Sequence, residues 1–290
     1  VSEPIALQTI SVDGFTCYDG VTAPTDEDGN LWVWQDIEGW FGGLDVRGAP
    51  VERPLTDGDF DGPAPLGSRT VTVKGTLIAS TRAGLQRGLD RLAAVLTTVV
   101  RRSDLVVDEA QRGVTRTATV RLGGPTQVSR KSTYQADWSL SLYAADPLRY
   151  GTVVNVITIL PFSAGSGRVY NLVPNRHYGK ASRSGTGDVV NAGNASTPLQ
   201  ITFYGPCTNP GMRIVGGAET QYMGTLTAND RVVIDTASRT VLLNGANRRQ
   251  NLSATSRWLS APPGTTRVYH WVDNVDRLGS ASVAWRDAWA

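Results

Sequence analysis

The sequence predicts a mainly β protein in two parts. The first is an α+β N-terminal domain, mostly antiparallel β with one helix, and the second is an all-β sandwich. Three observations carry this. Apolar and polar residues alternate across 68–79 and 134–144, the period of half-buried strands. Only 81–100 carries a helical period. Beyond residue 188, short apolar runs recur between turn signals with no helical period, the spacing of a sandwich.

The chain has 290 residues, 40% of them hydrophobic and 19% charged. That suffices for two cores at ~100–200 residues per domain. The formal charge is +2, and no basic block exceeds a pair, so a dedicated nucleic-acid binder is not expected. Cys17 and Cys207 lie too far apart in sequence for a small disulfide scaffold, and two buried free thiols are expected, with a long-range bridge between them as the alternative. The N-terminal residues show no charged segment leading into an apolar run, so no signal peptide is expected. The longest mostly apolar stretch, from Val153, is about half a membrane span and includes Asn155.

A first strand is expected over 4–12, stopped by the turn pair Asp13-Gly14. A polar loop covers 22–30, and aromatic and β-branched residues make 31–37 a strand. From Gly39 to Gly67 glycine and proline recur every few residues. Pro50, Pro54, Pro63 and Pro65 lack an N–H and cannot sit inside a sheet. Loops much beyond ~15 residues are usually functional or disordered. Here Trp40, Phe41, Leu44, Val46, Leu55, Phe60 and Leu66 supply apolar anchors, so 39–67 is expected to be an ordered arm suited to touching a neighbour.

In 68–79, Val71, Val73 and Leu77 share a face opposite Thr70, Thr72, Lys74 and Thr76. In the helix over 81–100, Leu85, Leu89, Leu92, Leu96 and Val99 form one stripe, with Ser80 or Thr81 as the cap. Gly84 and Gly88, one turn apart, each cost ~1 kcal/mol relative to alanine, which implies close packing against the backbone. Segments 105–108 and 114–122 read as a hairpin, with Arg116 sharing the apolar face of the second. The strand 134–144 ends at Asp146-Pro147. The first domain is placed at 1–155, a connecting strand and linker at 156–187, and the sandwich at 188–290. Its strands are expected near 188–191, 199–204, 212–215, 222–226, 231–235, 240–243, 267–272 and 282–285, with Asn244-Gly245 as a tight turn.

Chemistry is sparse. Asp57-Gly58-Asp59-Phe60-Asp61-Gly62 matches the opening of a calcium-binding loop, but its twelfth position is Ser68 instead of a bidentate Glu. A solvated acidic turn is the expectation. Only His177 and His270 are present, neither in a nucleophile motif, and no phosphate loop or dinucleotide fingerprint occurs. No catalytic residue, cofactor or metal is expected. Trp258, Tyr269, Trp271, Trp285 and Trp289 are read first as sandwich core and second as a sugar-stacking platform, with Trp258 and Trp271 the candidate glycan contacts.

The order of several short motifs resembles a known family. The first domain closes on Ala144-Ala145-Asp146-Pro147-Leu148-Arg149-Tyr150. There follow Asn191-Ala192-Gly193, Pro198, Ile201, Gly205-Pro206, the run Asp230 to Asp235, Leu243-Asn244-Gly245, and Trp258-Leu259 ahead of Pro263-Gly264. The chain ends Ala284-Trp285-Arg286-Asp287-Ala288-Trp289. This resembles the distal tail proteins, or minor tail proteins, of siphophages of actinobacteria. The resemblance implies a structural component of the virion tail tip, assembled in the host cytoplasm. Six copies would form a ring through the first domain, with a galectin-like sandwich outside. The homo-hexamer would join the tail tube protein to the tail hub or tail-associated lysin, around a lumen for DNA and tape-measure protein. Ring contacts are assigned to Trp40, Phe41 and Phe60 of the arm, Gly84 and Gly88 of the helix, and the hairpin 105–122; cyclic symmetry requires two different faces per subunit.

Overall fold

The structure, a computed structural model, describes residues 8–20, 23–48, 51–60, 62, 64–97, 102–109, 113–163, 182–273 and 278–290. Two compact units emerge. Unit 1 comprises the described residues up to Thr152, with Ala290, and unit 2 runs Val153–Trp289.

Unit 1 contains β1 (Thr9–Val12), β2 (Phe15–Tyr18), β3 (Asn30–Glu38), β4 (Val51–Glu52), β5 (Asp59–Phe60), β6 (Arg69–Ala79), helix α1 (Arg82–Ala94), β7 (Ser103–Glu109), β8 (Val114–Leu122), β9 (Gln127–Arg130), β10 (Gln135–Ala144) and β11 (Arg149–Gly151). The pairings run β8-β7-β1-β2-β3-β6-β10, and β10 returns to β8 at Leu142↔Leu122 and Tyr143↔Arg121. The sheet therefore closes on itself as a barrel, which removes open edges along that circuit. β11 is added on β8 and β9 on β10. All these pairs are antiparallel except β2 with β3, which meet in parallel at Tyr18↔Val33.

Alternation decides what fills the interior. Val71, Val73 and Leu77 of β6 face inward with Ala136, Trp138, Leu140, Leu142 and Ala144 of β10. Phe15, Trp32 and Trp138 meet edge to face, with centroids 4.8–6.2 Å apart, the geometry aromatic quadrupoles favour. Asp13 and Gly14 both take positive φ, which a two-residue hairpin turn requires, and so β1 is followed at once by β2, a strand the sequence reading lacks. Residues 4–7 of the expected first strand lie outside the described residues.

Helix α1 starts as expected, with Thr81 Oγ1 accepting from the Gly84 N–H at 2.9 Å. It ends earlier, at Ala94. Leu96 turns left-handed at φ 53° and donates its N–H to Asp13 Oδ2, a tertiary contact that overrides the continuing apolar stripe. Leu96 is still buried, but from outside the helix. Val99 lies outside the described residues.

Unit 2 contains β12 (Asn155–Ile159), β13 (Thr186–Asn191), β14 (Thr197–Pro198), β15 (Gln200–Tyr204), β16 (Cys207–Thr208), β17 (Gly211–Ile214), β18 (Glu219–Gln221), β19 (Thr225–Leu226), β20 (Arg231–Asp235), β21 (Thr240–Leu243), β22 (Ala246–Asn247), β23 (Ser260–Ala261), β24 (Gly264–Trp271), β25 (Ser280–Trp285) and β26 (Ala288–Trp289). One sheet runs β12-β25-β15-β20-β21-β22 and another β13-β24-β17-β18. Ile201, Phe203, Val232, Ile234 and Val283 from the first share a core with Val189, Met212 and Val268 from the second. Asn244 and Gly245 form the expected tight turn, both at positive φ. β12, expected as a connecting strand, pairs along its length with β25 as an edge strand of the first sheet. Most of the expected linker, 164–181 including His177, lies outside the described residues.

His270 sits in this core. Its Nδ1 lies 2.9 Å from the Gly211 carbonyl, its ring stacks on Phe203, and Nε2 has no hydrogen-bond partner. Burial holds its pKa below the usual 6.5. The unfolded chain then binds a proton that the folded unit refuses, so the stability His270 contributes is full above about pH 6.5 and is lost as pH falls toward the depressed folded value. Unit 2 is expected to lose stability as pH falls below about 6.5, the ordinary histidine value. A His270→Gln variant is expected to flatten that segment of the denaturation-midpoint profile; an unchanged slope would assign it elsewhere.

Candidate functional site

The two cysteines are free and buried, one in each unit. Burial raises both thiol pKa values, Cys207 to about 11, so neither is a reactive thiolate near neutral pH. The prominent surface features lie elsewhere, on the arm of unit 1 and the outer face of the second sheet of unit 2.

The arm begins on a buried polar clamp. Arg69 stands in register with Val71 and Val73 and points inward with them. Its Nη1 donates to the carbonyls of Gly39 (2.7 Å) and Trp40 (3.0 Å), and its Nε to that of Pro147 (2.8 Å). Burial lowers the Arg69 pKa, although a guanidinium stays charged. Arg149 Nη1 donates to the same Trp40 carbonyl at 2.7 Å, and its guanidinium lies 5.7 Å from the Trp40 ring. Trp40 Nε1 donates to Glu109, which is buried and salt-bridged by Arg116 at 3.2 Å. The Asp-Pro-x-Arg-Tyr motif thus has a local logic. Asp146 accepts from the Leu148 N–H and the Tyr150 hydroxyl, and so sets the turn that presents Arg149.

Beyond Trp40 the arm is a narrow finger. At its neck the Arg47 N–H donates to the Pro65 carbonyl (2.7 Å) and the Gly67 N–H to that of Asp45 (2.6 Å), around the bridge Val46↔Leu66. At its tip β4 pairs with β5, and the Arg53 guanidinium sits 5.3 Å from the Phe60 centroid. The expectation of seven apolar anchors is corrected here. Trp40 is fully buried, Leu44 is half-buried, and Phe41, Val46, Leu55, Phe60 and Leu66 are exposed. Leu55 is held fully exposed at φ 70°, which a branched side chain adopts at a cost of order 1–3 kcal/mol. Asp57 and Asp59 are exposed at this tip, and Asp61 lies outside the described residues.

Of the candidate contacts, Trp40 is therefore the root of the arm, while Phe41 and Phe60 project from it. Gly84 and Gly88 lie on the helix, away from the arm. They are buried, and the close packing they imply is internal to unit 1. A Cβ on Gly88 would lie 2.9 Å from Leu77 Cδ2 and 3.3 Å from the Trp32 ring, and one on Gly84 would lie 3.1 Å from the Asp28 carbonyl. The close packing that the glycines imply is met by the unit's own chain. Gly88→Leu is accordingly expected to destabilise unit 1 by roughly 1 kcal/mol, since overpacking of about 1–3 kcal/mol outweighs the ~1 kcal/mol gain in helix propensity. Denaturant unfolding measures it, and a variant of wild-type stability would show that the helix can shift.

In unit 2, Trp285 is buried with Nε1 donating to the Val190 carbonyl. Trp258 packs partly buried on the core, under Arg249. Tyr269 and Trp271 lie on the outward-facing side of β24. Their rings are nearly parallel with centroids 6.2 Å apart, and Arg213 lies over Tyr269 at 4.7 Å. The Trp271 indole lies flat against Gly211, where a Cβ would come within 2.2 Å of it.

Comparisons with known proteins match this architecture. Residues 192–289 match the family model described as siphovirus-type tail component, C-terminal domain. The crystal structure of the Dit protein (gp 19.1) of phage SPP1 aligns over 98% of this chain and 100% of that one, at 16% identity and a TM-score of 0.68. Chains of the phage P2 baseplate in its activated conformation, solved with Ca and with Sr, each align over 97% of this chain and 98% of that chain. Their identities are 10% and 11%, with TM-scores of 0.49 and 0.47. No curated protein matches the sequence. Residues 192–289 are thus similar to the siphovirus-type tail components, and the chain shares the fold of SPP1 Dit, in line with the resemblance to the distal tail proteins of siphophages.

Proposed function

We propose that this protein is a non-catalytic structural adaptor of the virion tail tip. Six copies form a ring through unit 1, between the tail tube protein and the tail hub or tail-associated lysin. The ring leaves a channel for DNA and tape-measure protein, and the sandwich is of the galectin-like kind. The observation that carries the reading is the tail-component match over 192–289, in a chain whose whole length follows the fold of SPP1 Dit. The arm supports it, because five exposed apolar side chains on one finger of unit 1 suit a contact with another subunit. Light scattering on a sizing column, followed by negative-stain imaging, tests the reading. A six-fold annulus is expected with purified protein or on adding the tube protein, and a monomer in both conditions would overturn the ring.

A second reading has its own observation. The parallel Tyr269–Trp271 pair, with Trp271 flat on Gly211, offers a stacking surface on which a sugar ring can lie. On this reading the sandwich contacts host cell-wall glycan. Sedimentation with purified cell-wall polysaccharide is expected to fall at least tenfold for Trp271→Ala with the fold retained. Retention by Trp271→Ala together with loss by Trp258→Ala would move the contact to the other tryptophan.

A further inference from the structure

The arm tip and a cleft elsewhere on unit 1 are complementary. The cleft is open, about 910 Å³, and lies between the first turns of α1 and the β9–β10 connection. Its lining includes Leu85 and the cations Arg82, Arg130 and Lys131, and no acidic residue. Lys131 pairs with Asp137 at 3.3 Å, Arg130 donates to neutral Gln86, and Arg82 has no ion pair among the described residues. The tip carries the reverse signature. Glu52, Asp57 and Asp59 outnumber Arg53, and the apolar side chains Leu55 and Phe60 stand exposed beside them. Within one chain the tip is solvated, so it does not fill its own cleft.

We infer that the arm tip of one copy docks in the α1–β9 cleft of the next, the tip carboxylates against Arg82, Arg130 and Lys131 and Leu55 and Phe60 against the aliphatic stems of those cations. This rests on the ring reading and names the partner surface within it. Arm and cleft are different patches of one subunit, so the contact is head-to-tail, the kind that closes into a ring when the rotation allows. It also accounts for the acidic Asp-Gly-Asp-Phe run, which no metal site uses among the described residues. The left-handed Leu55 fits as well, since backbone strain of that kind persists where a contact uses it.

Disulfide trapping tests the docking apart from the ring. Both native cysteines are buried with raised pKa values, so introduced thiols react alone. Mixing Asp57→Cys with Thr133→Cys protein under mild oxidation is expected to give covalent heterodimer at least tenfold above a control pair of Asp57→Cys with Ser238→Cys. The yield is expected to drop when the first protein also carries Leu55→Ser, or in 1 M salt, where screening is short-ranged. Combined Arg82→Glu and Arg130→Glu substitutions are expected to abolish it, and Asp59→Arg on the arm to restore part of it. Rings with trapping at the control level would overturn the docking and leave the ring standing. Trapping above control without rings would keep the docking and remove the ring. Trapping indifferent to the charge reversal would overturn the docking as well.

Discussion

Valine in place of Gly75 is expected to destabilise unit 1 strongly and leave the stability of unit 2 unchanged. Gly75 lies mid-strand in β6, paired with Trp34 on one side and Trp138 on the other. A Cβ there would stand 2.3 Å from the Val33 carbonyl oxygen and 2.5 Å from Cζ2 of Trp138. The carbonyl belongs to a strand held by its ladder, and the Trp138 ring is itself wedged against Phe15 and Trp32, so neither can give way. Valine suits strands better than glycine by up to ~1 kcal/mol. That gain is small against overpacking of 1–3 kcal/mol at ordinary core sites, which exceeds its usual range where backbone atoms collide. A net loss of roughly 4 kcal/mol is expected, a large part of the ~5–15 kcal/mol of a typical domain. Each unit carries its own reporter. Pulsed thiol labelling in denaturant reads unit 1 through Cys17 and unit 2 through Cys207. Cys17 is expected to label at much lower denaturant in the variant while the Cys207 midpoint holds. Wild-type labelling of Cys17 would show that the barrel can reshape around β6.

That glycine also marks the limit of what the sequence shows. The alternation around it identifies β6 and β10 almost residue for residue, because one face of each is buried and a slip by one residue would turn every side chain over. Strands β20 and β21 fall at the expected positions for the same reason. By contrast, β9 reads Gln-Val-Ser-Arg with every residue exposed, so no burial pattern exists to find. Barrel closure rests on two residue pairs between β8 and β10, a long-range fact without a local signature. The arm was legible as ordered and projecting, but which of its apolar residues is the anchor was not. Trp40 and Phe41 are neighbours of the same class. They differ because Arg69 and Arg149 seize the Trp40 carbonyl from 29 and 109 residues away. A charged residue in phase with a buried stripe, Arg69 beside Val71 or Arg116 beside Ala118, was the one available signal, since such a charge must find partners inside.

The difference between those neighbours gives the second large effect. Trp40→Ala removes a fully buried indole, for which truncation costs about 3–5 kcal/mol. It also takes the Nε1 donor from buried Glu109, leaving Arg116 to hold that carboxylate, and it removes the ring beneath Arg149. The backbone clamp is spared, because both arginines bind the carbonyl and not the ring. Unit 1 is therefore expected to lose about 4 kcal/mol, read by earlier labelling of Cys17, while the arm keeps its root wherever the unit is folded. Phe41→Ala and Phe60→Ala should behave in the opposite way. Both side chains are about half exposed, so stability is expected to stay within ~0.5 kcal/mol of wild type while the assembled fraction falls. Equal losses of stability in all three variants would mean that the finger folds back on its own unit in solution, and the arm would then cease to be an assembly surface.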